Sequence, residues 1–125
     1  MSLYKNRKVD FQHLDARGSL TQLIHEGFMQ INVLKSKKGV ARGSHFHKRS
    51  VEAFYVIDGS VEVTLWDQKV EETVAFGEGD FFEIPPFVLH NMVFLEDCSM
   101  VQMYDRPVEN SDGTKDIYME DEFYA

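Results

Sequence analysis

The chain has 125 residues, a formal net charge of −8 and one cysteine. That length fits one domain over residues 1–125, and ten Phe and five Tyr supply a core. The 21 acidic residues against 13 basic ones argue against nucleic acid, whose binding relies on Lys and Arg neutralising phosphates. No apolar run reaches the roughly 18 residues of a membrane span, and the N-terminus has no apolar signal-peptide core. The lone Cys98 excludes an internal disulfide, reads as a small buried hydrophobe, and fits a reducing cytoplasm.

Residues 4–14 are mixed and polar. Asp15-Ala16-Arg17-Gly18 is a turn signal leading into a strand from Ser19 to Ile24. His13 and His25 lack any partner pattern and read as solvated or structural. Met29 to Leu34 forms the next strand, followed by the solvated basic loop Lys35-Ser36-Lys37-Lys38. A strand with Arg42, His45 and His47 follows, then one from Glu52 with Phe54 and Val56 at the same parity. Ala53, Tyr55 and Ile57 face outward there and need cover from a second layer or a partner subunit, which points to a homodimer. Val61, Val63 and Leu65 alternate with Glu62 and Thr64 as a half-buried strand. Glu71 to Phe76, Phe81 to Ile84, a strand from His90 through Met92 and Phe94, and Met100 to Tyr104 complete the set. Many short strands separated by turn signals indicate an all-β barrel, with a core over about 10–105 and a polar tail over 106–125 that folds back or stays loose.

The stretch Gly39 to Gly59 organises the chain. Five residues separate Gly39 from His45, one separates His45 from His47, four separate His47 from Glu52 and six separate Glu52 from Gly59. Residues two apart on a strand share a face, so His45 and His47 aim into one space, and a reversal at Lys48 to Val51 returns Glu52 beside them. Two imidazoles and a carboxylate so placed form a divalent-metal site. His90, after the turn at Pro85-Pro86, supplies a fourth ligand. Three imidazoles and one carboxylate suit Zn, Ni, Fe, Mn or Co. Arg42 lies three before His45, so alternation puts it on the opposite face unless Gly43 marks a bulge. Tyr104 reads as a strand tyrosine or as an acid near the site.

The spaced Gly, His-x-His, Glu and Gly set, followed by Gly79 to His90, resembles the two motifs of the cupin superfamily. The second motif departs from the pattern at Phe87, where the family usually has glycine. The resemblance implies an antiparallel jelly-roll barrel enclosing a ligand cavity. Asp15-Ala16-Arg17-Gly18-Ser19-Leu20 and Arg42-Gly43-Ser44-His45-Phe46-His47-Lys48 resemble segments of the dTDP-sugar ketoisomerases (the WxcM-like family). That likeness implies His45 and His47 as proton carriers, without metal. It also singles out Arg17, Arg42 and Lys48 as substrate-binding cations. Glu52 and the His90-Asn91 pair are closer to the zinc-binding cupin domains of capsule-sugar epimerases.

The expected function is proton transfer next to a keto group of a nucleotide-linked sugar, in polysaccharide or deoxysugar biosynthesis. Histidine supplies a base of suitable pKa, and a metal or a cation such as Arg42 or Lys48 stabilises the enolate oxygen. Two other classes fit the same residues: a metal-dependent dioxygenase and a non-catalytic small-molecule binder.

Overall fold

The computed structural model describes residues 2–123. Among these the chain runs as β1 (Lys5–Asn6), β2 (Phe11–Asp15), β3 (Gly18–Gln22), β4 (Gln30–Ser36), β5 (Ala41–Phe46) and β6 (Glu52–Asp58). It continues as β7 (Ser60–Trp66), β8 (Glu71–Gly77), β9 (Phe81–Ile84), β10 (Leu89–Phe94), β11 (Cys98–Tyr104), β12 (Tyr118–Met119) and the short helix α1 (Glu120–Phe123). None of the helices is long and apolar enough to cross a membrane.

Two antiparallel sheets form the barrel, in the orders β1-β9-β6-β11-β4 and β12-β5-β10-β7-β8. The jelly roll expected from the cupin resemblance is therefore the fold. Alternation explains the core. Phe54, Val56 and Met100 from one sheet meet Val61, Val63, Leu65, Met92 and Phe94 from the other in a single buried cluster. Each fully buried side chain of this size contributes about 1.5–3 kcal/mol of transfer free energy. Gly59 lets the chain cross from one sheet to the other: its φ is +81°, and any Cβ there would strike the Asp97 carbonyl.

The outer face of the first sheet is covered from within the chain around Tyr55 and Val101. Val9, Leu23, Ile24 and Phe28 pack with Tyr55 and Val101 over buried Ala53, Phe81 and Met103. Arg7 pins this layer, stacking 5.0 Å from the Phe28 ring centroid and bonding Glu83 at 3.0 Å. Tyr55 thus finds its cover in the N-terminal segment rather than in a partner subunit, while Ile57 stays exposed.

The β2–β3 hairpin stands apart as a two-stranded sheet, turning between Asp15 and Gly18 as the sequence indicates. His13 and His25 are exposed and pair with Asp15 and Asp10. The C-terminal tail folds back: Tyr118 and Met119 pair with Phe46 and His45 of β5, adding an edge strand to the second sheet.

Candidate functional site

β5 and β10 are neighbours, with His45 opposite His90. The register shifts between His90 and Asn91, where Gly43 and Ser44 bulge out of β5. Gly43 has φ +104°, and a Cβ there would sit 2.8 Å from the His90 carbonyl oxygen. Ser44 takes φ 62°, a strained value for a side-chain-bearing residue. The bulge resolves the parity of Arg42: it lies opposite inward-facing Met92 and borders the same cavity as His45.

β5 ends at Phe46, and His47 opens the loop that reverses the chain. Glu52 starts β6, paired with Ile84 on one side and Tyr104 on the other. The ligand atoms of His45, His47, Glu52 and His90 all lie within 4.8 Å of one another. Glu52 is 0% exposed, and His47 and His90 are also buried. His45 alone of the four is half-buried.

The two oxygens of Glu52 have different surroundings. Oε2 accepts from Gln102 Nε2 at 2.7 Å and from the Tyr104 hydroxyl at 3.0 Å. Oε1 faces His47 Nε2 at 3.1 Å and His90 Nε2 at 2.9 Å. The His90 contact is close but not aligned as a hydrogen bond, and His45 Nε2 has no partner at all. On their other side, His47 Nδ1 lies 2.6 Å from the Asp116 carbonyl and His90 Nδ1 lies 3.0 Å from the Val88 carbonyl. A carbonyl only accepts, so both Nδ1 atoms carry hydrogen. In the neutral rings, the Nε2 lone pairs then face a carboxylate oxygen. Lone pairs and an anion at such distances repel unless a positive charge lies among them, as a proton or a cation. The donor set therefore fits a divalent metal, with three imidazole nitrogens and one carboxylate oxygen converging in a buried space.

Electrostatics separates His45, His47 and Glu52. Burial and the neighbouring His90 push His45 down to about 4, so it is neutral at pH 7. Burial also opposes charge on His47, but the hydrogen bond and charge of Glu52 outweigh it and raise the pKa. Burial opposes charge on Glu52, yet His90 and His47 hold its carboxyl well below the usual range. Burial and the charge of Glu52 push the Tyr104 hydroxyl up, so it stays protonated and can donate to the carboxylate.

A cavity of about 370 Å³ opens onto this cluster, bordered by Arg42, His45, Glu52, His90, Phe54 and Gln102 among others. Arg42 is held there by Ser36, whose Oγ accepts from its Nε at 2.8 Å. The other two cations singled out by resemblance lie elsewhere. Arg17 is on the exposed hairpin, bonded to Asp15 at 2.6 Å. Lys48 places its ammonium 4.2 Å from the Tyr118 ring centroid, outside the barrel.

Residues 13–110 match the sequence profile of the polysaccharide biosynthesis C-terminal domain family. The chain belongs to that family. No curated protein matches this family member, but solved structures share its fold. The 3,4-ketoisomerase QdtA from Thermoanaerobacterium thermosaccharolyticum, as a histidine-to-asparagine mutant in complex with TDP-4-keto-6-deoxyglucose, aligns with a TM-score of 0.80. Identity is 20%, over 99% of this chain and 92% of that one. A 3,4-ketoisomerase from Helicobacter canadensis gives 0.78 at 24% identity, covering 96% and 93%. The dTDP-4-dehydrorhamnose 3,5-epimerase from Sulfolobus tokodaii gives 0.66 at 18% identity, covering 82% and 75%. At these identities the likeness is one of fold.

Gln102 and Asp116 complete the site without having been singled out in the sequence. Gln102 shares the inward parity of Met100 and Tyr104 on β11, so a polar residue between two core positions was its signal. Asp116 has no such local signal, because it reaches the site only through the folded-back tail.

Proposed function

We propose that this chain is an isomerase or epimerase of nucleotide-linked sugars, moving a proton on the carbon next to a keto group. The observation that carries the reading is His45. It is neutral at pH 7, it borders the cavity, and its Nε2 has no partner. A base for proton abstraction next to a carbonyl needs those three properties. The fold shared with ketoisomerases and epimerases of TDP-linked sugars supports the substrate class. Arg42 at the cavity border is placed to meet an anionic part of the substrate or the developing enolate oxygen. Tyr104 donates to Glu52 and keeps its proton, fixing the carboxylate and offering an acid beside it.

We further propose that His47, Glu52 and His90 hold a divalent metal (Zn, Ni, Fe, Mn or Co), and that His45 joins them as a fourth ligand only when it is not serving as the base. When bound, the cation would act as a Lewis acid toward the keto oxygen. Three protein ligands suffice for a catalytic metal, which leaves His45 free to close the shell or to take the substrate proton, though not both from one atom. The single domain acts as a homodimer in this reading, and its one buried cysteine fits the cytoplasm.

The test follows TDP-4-keto-6-deoxyglucose by NMR in D₂O, with metal content measured on the same samples. Wild type should exchange a carbon-bound proton beside the keto group and form an isomer. His45→Asn should retain most of the metal while losing exchange by at least roughly 100-fold, the lower range for a general base. A wild type that neither exchanges nor isomerises keto sugar nucleotides would sink the reading. Product formation that requires dioxygen would replace it with an oxygenase.

A further inference from the structure

We infer that Asp116, far along the tail, is the positioning residue for His47. The inference rests on the reading of His47 as a working member of the cluster. The loop at residues 47–51 belongs to no strand, so its N–H groups have no ladder to join. Asp105 Oδ1 accepts from the Val51 N–H at 2.9 Å, and Asp116 supplies the acceptors for the three residues that follow His47. Its Oδ1 accepts from the Lys48 N–H at 2.9 Å. Its Oδ2 accepts from the Arg49 N–H at 3.0 Å, the Ser50 N–H at 2.8 Å and the Ser50 hydroxyl at 2.8 Å. The carbonyl of the same residue accepts from His47 Nδ1 at 2.6 Å. One residue therefore fixes the backbone that carries His47 and also the face of the ring that turns inward.

Asp116 is itself anchored on both sides. Its N–H donates to the Val108 carbonyl at 2.9 Å, and two residues later Tyr118 pairs with Phe46. It is 1% exposed. A buried carboxylate with four donors is a specified arrangement, and neither asparagine nor alanine can receive all four. A hydrogen bond of this kind at the outer nitrogen of a metal-binding histidine fixes the tautomer and leaves Nε2 as the lone pair for the cluster.

The test uses full-length, ¹⁵N-labelled, metal-free protein. The exchange of the His47 Nδ1–H with solvent is read by NMR, and zinc affinity is then titrated. Asp116→Ala and Asp116→Asn are compared with Phe76→Leu, which weakens the core instead. Phe76 packs on Tyr4 and Phe82 and pairs with Val61, whose other partner Phe94 lies four residues along β10 from His90. Wild type and Phe76→Leu should show a slowly exchanging His47 Nδ1–H. The Asp116 variants should lose it and bind zinc roughly 10–100-fold more weakly, as for other partners of metal-bound histidines. A folded Asp116→Ala protein with the protected proton and unchanged zinc affinity would overturn the proposal. So would fast exchange of that proton in wild type, which requires no variant to fold. Wild type that binds no zinc would overturn the metal reading alone, and the proton measurement would still decide the role of Asp116.

Discussion

His90 Nε2 and Glu52 Oε1 stand 2.9 Å apart with no aligned hydrogen bond between them. The Val88 carbonyl claims the hydrogen on the other nitrogen of His90. A neutral ring in this position presents a lone pair to an anion, and His47 repeats the arrangement at 3.1 Å. The contact is stable only with positive charge in it, and that requirement governs the behaviour of Glu52.

Glu52→Gln removes the anionic member of the set while keeping its shape. Metal occupancy should drop sharply, since the cation's charge is left uncompensated in a buried site. A chelator should lower the melting temperature of wild type and leave Glu52→Gln unmoved. Free metal at 100 times Kd adds about 2.7 kcal/mol to the native state, so the wild-type shift is easily measured by calorimetry. Wild type that carries no metal, takes none up, and melts identically with and without chelator would overturn the metal assignment.

The legibility of this site follows the range of the interactions that build it. His45, His47 and Glu52 are close in sequence and lie on two strands joined by a short loop, so parity alone places them together. His90 follows from its own strand and turn. Arg42 defeats simple alternation because Gly43 and Ser44 bulge, and a bulge reverses the face of everything before it. The direction of Tyr55 was readable but its cover was not. That cover comes from Val9, Leu23, Ile24 and Phe28, a layer with no strong periodic pattern. Asp116 was invisible for the same reason: a lone aspartate in a polar tail reads as solvated until the tail is seen to pair with β5.

The metal-free protein should lose stability on acidification between about pH 6.5 and 4. His45 has an ordinary value of 6.5 and is held at about 4 in the fold. Below 6.5 the unfolded chain takes up a proton that folded His45 refuses, so the unfolded state gains. The contribution of His45 is complete above 6.5 and lost as pH falls through about 4. The raised pKa of His47 acts in the opposite sense, adding stability at low pH that fades as pH rises through its folded value. Melting curves of metal-free His45→Asn across this window isolate the first effect. Its melting temperature should fall less on acidification than that of wild type, and an equal fall would show that His45 titrates normally.

Phe87 carries φ 63° and is 56% exposed, at the position where the cupin pattern has glycine. Its N–H donates to the His47 carbonyl at 2.7 Å, a bond that any residue other than proline keeps. Left-handed backbone costs a bulky residue about 1–2 kcal/mol, and glycine escapes most of it. Phe87→Gly should therefore be more stable than Phe87→Ala by about 1 kcal/mol, the reverse of the usual order for the two residues. The comparison cancels the loss of the aromatic contact with Phe46, since both variants lack the ring. Urea denaturation of the pair reads the difference directly, and an alanine variant equal or superior to glycine would mean that the backbone there is unstrained.

The last prediction concerns assembly. With Tyr55 covered from within, the most exposed apolar side chains of the sheets lie on β4 and on the hairpin. Ile31 and Val33 are 58% and 64% exposed, and Leu14 on the hairpin is 70% exposed. Among the described residues β4 pairs only with β11, so its outer edge carries unpaired backbone groups beside those apolar side chains. Natural sheets blunt such an edge with charge, proline or cover, and on β4 Ile31 and Val33 instead make it adhesive. A second copy that pairs along this edge, with the hairpins crossing, would satisfy both features at once. Light scattering at micromolar concentration should give twice the chain mass. Val33→Asp should shift the equilibrium toward monomer without harming the core, because the residue faces away from it. A wild type with the mass of one chain would exclude the dimer. A Val33→Asp protein that stays fully dimeric would move the interface off β4.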